Sequence, residues 1–144
     1  MKKSSYTVST KVQRGEVVTT DAVVGILTEG EKIEGYHVRA LWDTGATTSA
    51  ISEKIAGKLA LEYLRHHDVE TAHGGKTSLP GYSNVSFMLF DGTVITPRVT
   101  DVVNISEQDI DAIVGMDIIS CGTLLLEPIS DGGVKFTFTL SDEL

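Results

Sequence analysis

A chain of 144 residues with a net charge of −8, 41% hydrophobic and 22% charged residues has the length of one domain and the composition of a globular protein. The acidic balance argues against a nucleic-acid partner, because neutralising phosphates needs clustered Lys and Arg, and no apolar run reaches membrane-spanning length. The single cysteine, Cys121, closes no intrachain disulfide and reads as a buried structural thiol in a reducing, cytoplasmic setting.

Residues 1–16 read as an N-terminal segment, flexible or dimer-forming, and residues 17–144 as the domain proper. Met1-Lys2-Lys3 is followed by polar residues, so no secretory leader is predicted. Tyr6 to Gln13 begins with strand-like alternation, Val17 to Leu27 is rich in Val, Thr and Ile, and Gly30 to Gly35 supplies a turn. Tyr36, Val38, Ala40 and Trp42 alternate with His37, Arg39 and Leu41, which predicts a strand ending at Asp43.

Ile51, Ile55 and Leu59 recur every fourth residue and predict a short helix across Ile51 to Leu61, capped by Ser52 and weakened by Gly57. Asp68 to Met88 reads as two arms of a hairpin around His73-Gly74-Gly75. Phe87 to Phe90 and Val94 to Val102 make a second hairpin around Asp91-Gly92. Ile113-Val114 leads into Gly115, with one or two helical turns over Met116 to Ser120. Leu124 to Ile129 and Val134 to Leu140 form a third hairpin. The expected fold is small and mainly β, a barrel or folded-sheet core with one short helix.

The chemistry is concentrated in Trp42-Asp43-Thr44-Gly45-Ala46-Thr47. Asp43 follows an apolar strand, so its carboxylate sits where the chain leaves the core and water is scarce. Gly45 permits a tight turn and lets backbone N–H groups approach that carboxylate. The Thr44 hydroxyl can bond neighbouring backbone. Read blandly, the tripeptide is a strand-terminating Asx turn. A second element, Ile113-Val114-Gly115, lies about seventy residues downstream at the end of an apolar segment. Other chemistries lack their patterns. The adjacent His66-His67 has no metal-ligand spacing, and there is no serine-nucleophile elbow or nucleotide-binding glycine pattern. Neither a metal nor a cofactor is expected.

The pairing of Asp43-Thr44-Gly45-Ala46 with Ile113-Val114-Gly115 resembles the retroviral-type aspartic proteases, the retropepsin-like family, over roughly Val17 to Leu140. The resemblance implies a single-lobe acid-protease barrel with a flap hairpin. Asp43 would be the catalytic carboxylate, Thr44 the hydroxyl interlocking two loops, and Gly45 the source of backbone donors. Ala46 and Thr47 would face substrate, together with the flap residues Ala72, His73, Gly74 and Gly75. Ile113, Val114 and Gly115 would support the site from behind. Two positions depart from the family's habit: Thr47 stands where Asp is usual, and Met116-Asp117 where Arg-Asn is common.

Hydrolysis by that route needs two carboxylates sharing one proton around a water, and like charges that close titrate as a unit. With one Asp-Thr-Gly in the chain, the second carboxylate is expected from Asp43 of another copy in a symmetric homodimer. The function implied is an aspartic endopeptidase acting on a peptide or protein substrate. The alternatives are a dimer of the same fold that binds an extended peptide or protein with little or no turnover, and an unrelated β-barrel in which Asp-Thr-Gly is only a turn.

Overall fold

The alternation of Tyr36 to Trp42 is realised as the C-terminal part of a ten-residue strand, and the rest of the chain is arranged about it. The computed structural model describes residues 6–30, 32–70, 74–90, 93–105 and 109–141. In chain order the strands are β1 (Tyr6–Gln13), β2 (Thr19–Leu27), β3 (Ile33–Trp42), β4 (Ala50–Ser52), β5 (Tyr63–Glu70) and β6 (Lys76–Tyr82). They continue with β7 (Ser86–Phe90), β8 (Thr93–Ile95), β9 (Thr100–Val103), β10 (Ile110–Val114), β11 (Gly122–Pro128) and β12 (Gly133–Leu140). Two single-turn helices, α1 (Glu53–Ala56) and α2 (Met116–Ile119), complete the described elements. With 59% of the described residues in strands and 7% in helices, the class is mainly β.

The strands form two sheets. The larger runs β5-β6-β9-β4-β10-β3-β2-β7-β8, and the smaller runs β1-β12-β11. The larger ladder stays open at β5 and β8, so the fold is sheets wrapped over one core rather than a hydrogen-bonded ring. The core draws on both sheets, with Val24, Val38, Ala40, Ile51, Phe87, Val114, Phe136 and Phe138 all buried. Burial of each Val, Ile or Phe among them is worth about 1.5–3 kcal/mol. Trp42 locks the sheets together. Its ring lies 5.0 Å, centroid to centroid, from both Phe136 and Phe138 of β12. Its Nε1–H donates to Thr20 Oγ1 at 2.9 Å, so this buried polar atom is satisfied. The strand is thus anchored one residue before Asp43.

Two expectations shift in detail. The helix expected over Ile51 to Leu61 shrinks to α1, because the backbone of Ile51 is taken by sheet pairing with Ala112 on one side and Val102 on the other. Two flanking ladders outweigh a four-residue repeat in so short a segment. Ser52 still caps what remains, its Oγ accepting from Ile55 N at 3.2 Å, and Gly57 ends it. The return arm of the second hairpin stops at Ile95, before Pro97, and β9 crosses to lie between β4 and β6. The Asp91-Gly92 turn itself lies outside the described residues. β1 pairs with β12 of its own chain from Tyr6 opposite Leu140 to Gln13 opposite Gly133.

Candidate active site

Asp43 emerges directly from the end of β3. Beside it runs β10, parallel, with Val114 opposite Trp42. Parallel pairing puts the ends of both strands at the same edge, so residues far apart in sequence arrive together. The Asp43 N–H donates to Val114 O at 3.0 Å, and Ala46 N donates back to Asp43 O at 3.1 Å, closing a tight turn. Gly45 N–H donates to Asp43 Oδ1 at 2.9 Å. Asp43 is half-buried while Thr44 and Gly45 are exposed. No described residue donates a hydrogen bond to Oδ2, so that oxygen is open to a partner from outside the turn.

β10 also pairs antiparallel with β4, Ile113 lying opposite Ala50. The strand therefore threads between the two strands that bracket residues 43–49. Met116 N donates to Ala46 O at 2.7 Å and Asp117 N to Thr47 O at 3.1 Å. Gly115 fills the crossing point. A Cβ there would lie 2.8 Å from Ala46 O, 2.9 Å from Thr48 C and 3.0 Å from Thr48 O. Val114 and Gly115 are buried and Ile113 is half-buried. The stretch Ile113-Val114-Gly115 thus packs directly against the Asp43 turn.

Ser49, which the sequence reading did not single out, and Asp117, noted there only as a departure from the family's habit, sit at the centre of this crossing. Ser49, fully buried, donates from Oγ to Asp117 Oδ1 at 2.6 Å and from its N–H to Asp117 Oδ2 at 3.0 Å. The same Oγ accepts from Gly115 N at 2.9 Å. Ser49 O accepts from Asp101 N at 3.1 Å, and Asp101 lies opposite Gly81 at the base of the β5–β6 hairpin. A serine in the polar stretch Thr47-Thr48-Ser49 and an acid that only departs from a family habit carry no periodic signal, which is why the role of each escapes a reading by pattern.

Of the expected flap residues, Gly74 and Gly75 are exposed at the end of the β5–β6 hairpin, whereas Ala72 and His73 lie outside the described residues. A cavity of about 820 Å³ lined by His37, Arg39, Asp109 and Asp111 among others opens beside the middle of β3 and the start of β10, not at Asp43. Among the described residues, no group of three or more His, Cys, Asp and Glu is placed to hold a metal ion, and no helix is long and apolar enough to cross a membrane.

Residues 31–121 match the family model described as "gag-polyprotein putative aspartyl protease". The chain belongs to that aspartyl protease family. The match spans β3, the Asp43 turn, the β5–β6 hairpin, β10 and α2. Among solved structures, the crystal structure of a retropepsin-like aspartic protease from Rickettsia conorii is similar in fold. Its TM-score is 0.53 at 15% identity, over 98% of this chain and 99% of that one. A Legionella pneumophila protein of unknown function aligns at a TM-score of 0.39 and 15% identity, over 71% of this chain and 83% of that one, too weakly to bear on the fold. No curated protein matches the chain.

Proposed function

We propose that this family member is an aspartic endopeptidase that works as a homodimer, the Asp43 carboxylates of two copies forming the reacting pair. The observation that carries the reading is the Asp43 turn. One carboxylate oxygen is fixed by Gly45 N–H, the other is left open, and the exposed Thr44 stands beside it. One chain supplies one such turn, so a second carboxylate comes from a second copy.

In the dimer, a water between the two carboxylates loses a proton to the ionised one as it attacks the peptide carbonyl. The protonated one hydrogen-bonds the carbonyl oxygen, and the proton then passes to the departing amine. The Thr44 hydroxyls clasp the two turns across the axis. Ala46 and Thr47 line the cleft, and Gly74 and Gly75 belong to the flap over a substrate held extended by strand-like hydrogen bonds. The proton route uses only Asp43 side chains and water, with no cofactor.

For the dimer contact we assign β11. It is an edge of the small sheet and carries Leu125 and Leu126 at 47% and 54% exposure, an apolar edge of the kind that pairs with another chain. It starts three residues after α2 ends, and the first residue of α2, Met116, bonds Ala46 O in the Asp43 turn. Half-buried Cys121 fits a reducing compartment, and we assign the protein to the cytoplasm.

The test is Asp43→Asn. Peptide cleavage at mildly acidic pH is lost while the variant remains a folded dimer by sedimentation and circular dichroism. Cleavage that survives refutes the mechanism. Peptide binding by the unmodified chain with no cleavage replaces the enzyme with a binding dimer of the same fold.

A further inference from the structure

We infer that Asp117 is a positioning residue for the Asp43 turn, acting through Ser49; as an effect on turnover, the inference rests on the protease reading above.

The turn and the segment behind it are two short stretches, residues 43–49 and 114–117, joined rung by rung. At the near end Asp43 N bonds Val114 O, and in the middle Met116 N and Asp117 N bond Ala46 O and Thr47 O. The far end depends on a side chain. Asp117 reaches back over Thr48 and takes both donors of Ser49, the N–H at 3.0 Å and the hydroxyl at 2.6 Å. It also accepts from its own neighbour, Ile118 N, at 2.9 Å.

The hydroxyl of Ser49 has one proton. Because Asp117 takes it, the oxygen lone pairs are aimed elsewhere, and one of them receives Gly115 N–H at 2.9 Å. Without the Asp117 acceptor that hydroxyl is free to rotate, and Gly115 N–H, buried in the crossing, loses a defined partner. The carboxylate therefore sets three hydrogen bonds at once. All of them bear on the segment whose other end presents Asp43. A carboxylate suits this place because both its oxygens accept, whereas an amide offers one acceptor and one donor.

Asp117→Asn is the discriminating substitution. In either amide orientation an NH2 group faces a backbone donor, that of Ser49 or of Ile118, while side-chain volume is unchanged. Displacing a reacting group by a fraction of an ångström is expected to lower kcat about tenfold to a hundredfold, with a smaller change in KM, because of the residues placed around substrate only Ala46 and Thr47 lie on the loosened segment and the flap is untouched. Amide hydrogen exchange at Ala46, Ser49, Gly115 and Met116 accelerates, while exchange elsewhere in the sheets keeps its protection. Ser49→Ala attacks the same linkage from the other side, and adding it to Asp117→Asn costs little more in kcat, the signature of coupled residues.

Unchanged exchange at those amides overturns the inference whether or not the protein turns over. In an active enzyme, an unaltered kcat or an effect confined to KM overturns it as well. If Asp117→Asn fails to fold, Ser49→Ala alone carries the same exchange and kcat readouts. Absence of any Asp43-dependent cleavage in the unmodified chain refutes the protease reading and leaves the exchange experiment to decide the role of Asp117.

Discussion

Gly115→Ala probes how closely the Asp43 turn is packed. The glycine has φ −97° and ψ −171°, a conformation open to any residue, so torsion is not what demands it. Space is. The added methyl meets Ala46 O at 2.8 Å, Thr48 C at 2.9 Å and Thr48 O at 3.0 Å, where ordinary contact begins at 3.4 Å. Relief of the tightest contact requires the two segments to part by about 0.6 Å. All three atoms are backbone, and the segment that holds them is pinned by the Met116 N–Ala46 O and Asp117 N–Thr47 O bonds, so no side-chain rotation accommodates the methyl. Overpacking of this kind costs about 1–3 kcal/mol, a drop of several degrees in Tm. The same displacement carried to Asp43 lowers kcat about tenfold or more. Calorimetry at fixed protein concentration, since association raises apparent stability, and steady-state cleavage of a peptide substrate measure the two effects. If the crossing were loose, alanine would instead stabilise by about 0.4–1 kcal/mol through the unfolded state. A variant with raised Tm and unaltered kcat therefore refutes the packing argument.

Leu125→Asp and Leu126→Asp each place a charge on the β11 edge and are expected to shift the protein to monomer in sedimentation. Specific activity then climbs with enzyme concentration where the unmodified protein is flat; full dimer in both variants refutes the β11 assignment. At the turn between β11 and β12, the ammonium of Lys11 and the Gly133 N–H hold the Asp131 carboxyl below its usual range. A carboxyl depressed in the folded state contributes stability above its unfolded value near 3.8 that is lost as pH falls through the folded one. Asp131→Asn is therefore expected to lower Tm slightly at pH 6 and not at pH 2.5, and an equal loss at both assigns the effect to something other than charge.

The strands that carry alternation were legible because alternation is a local consequence of one buried face. Tyr36 to Trp42 announces β3, and the Gly132-Gly133 turn announces the last hairpin. The Ile51–Ile55–Leu59 repeat misled because Ile51 is buried by two flanking strands, and sheet pairing leaves no periodic mark over three residues. The Asp43 turn was legible by its tripeptide and its distant partner stretch. Ser49 and Asp117 were not, since nothing local marks a serine that donates to an acid sixty-eight positions away.

That distance bears on how the half-site is made. Asp43 meets Val114, Ser49 meets Asp117, and Trp42 meets Phe136 and Phe138, each contact closing a long loop of chain. Loop closure of this length costs entropy before any contact forms, so no fragment of the chain holds the turn in place by itself. Once the domain has folded, however, every bond that fixes the turn is internal to one protomer. In the proposed symmetric dimer the second copy would then contribute a carboxylate without having to order the turn it meets. Association between preformed surfaces spends little on rearrangement, which would let the proposed dimer form through an edge strand and still align its two carboxylates.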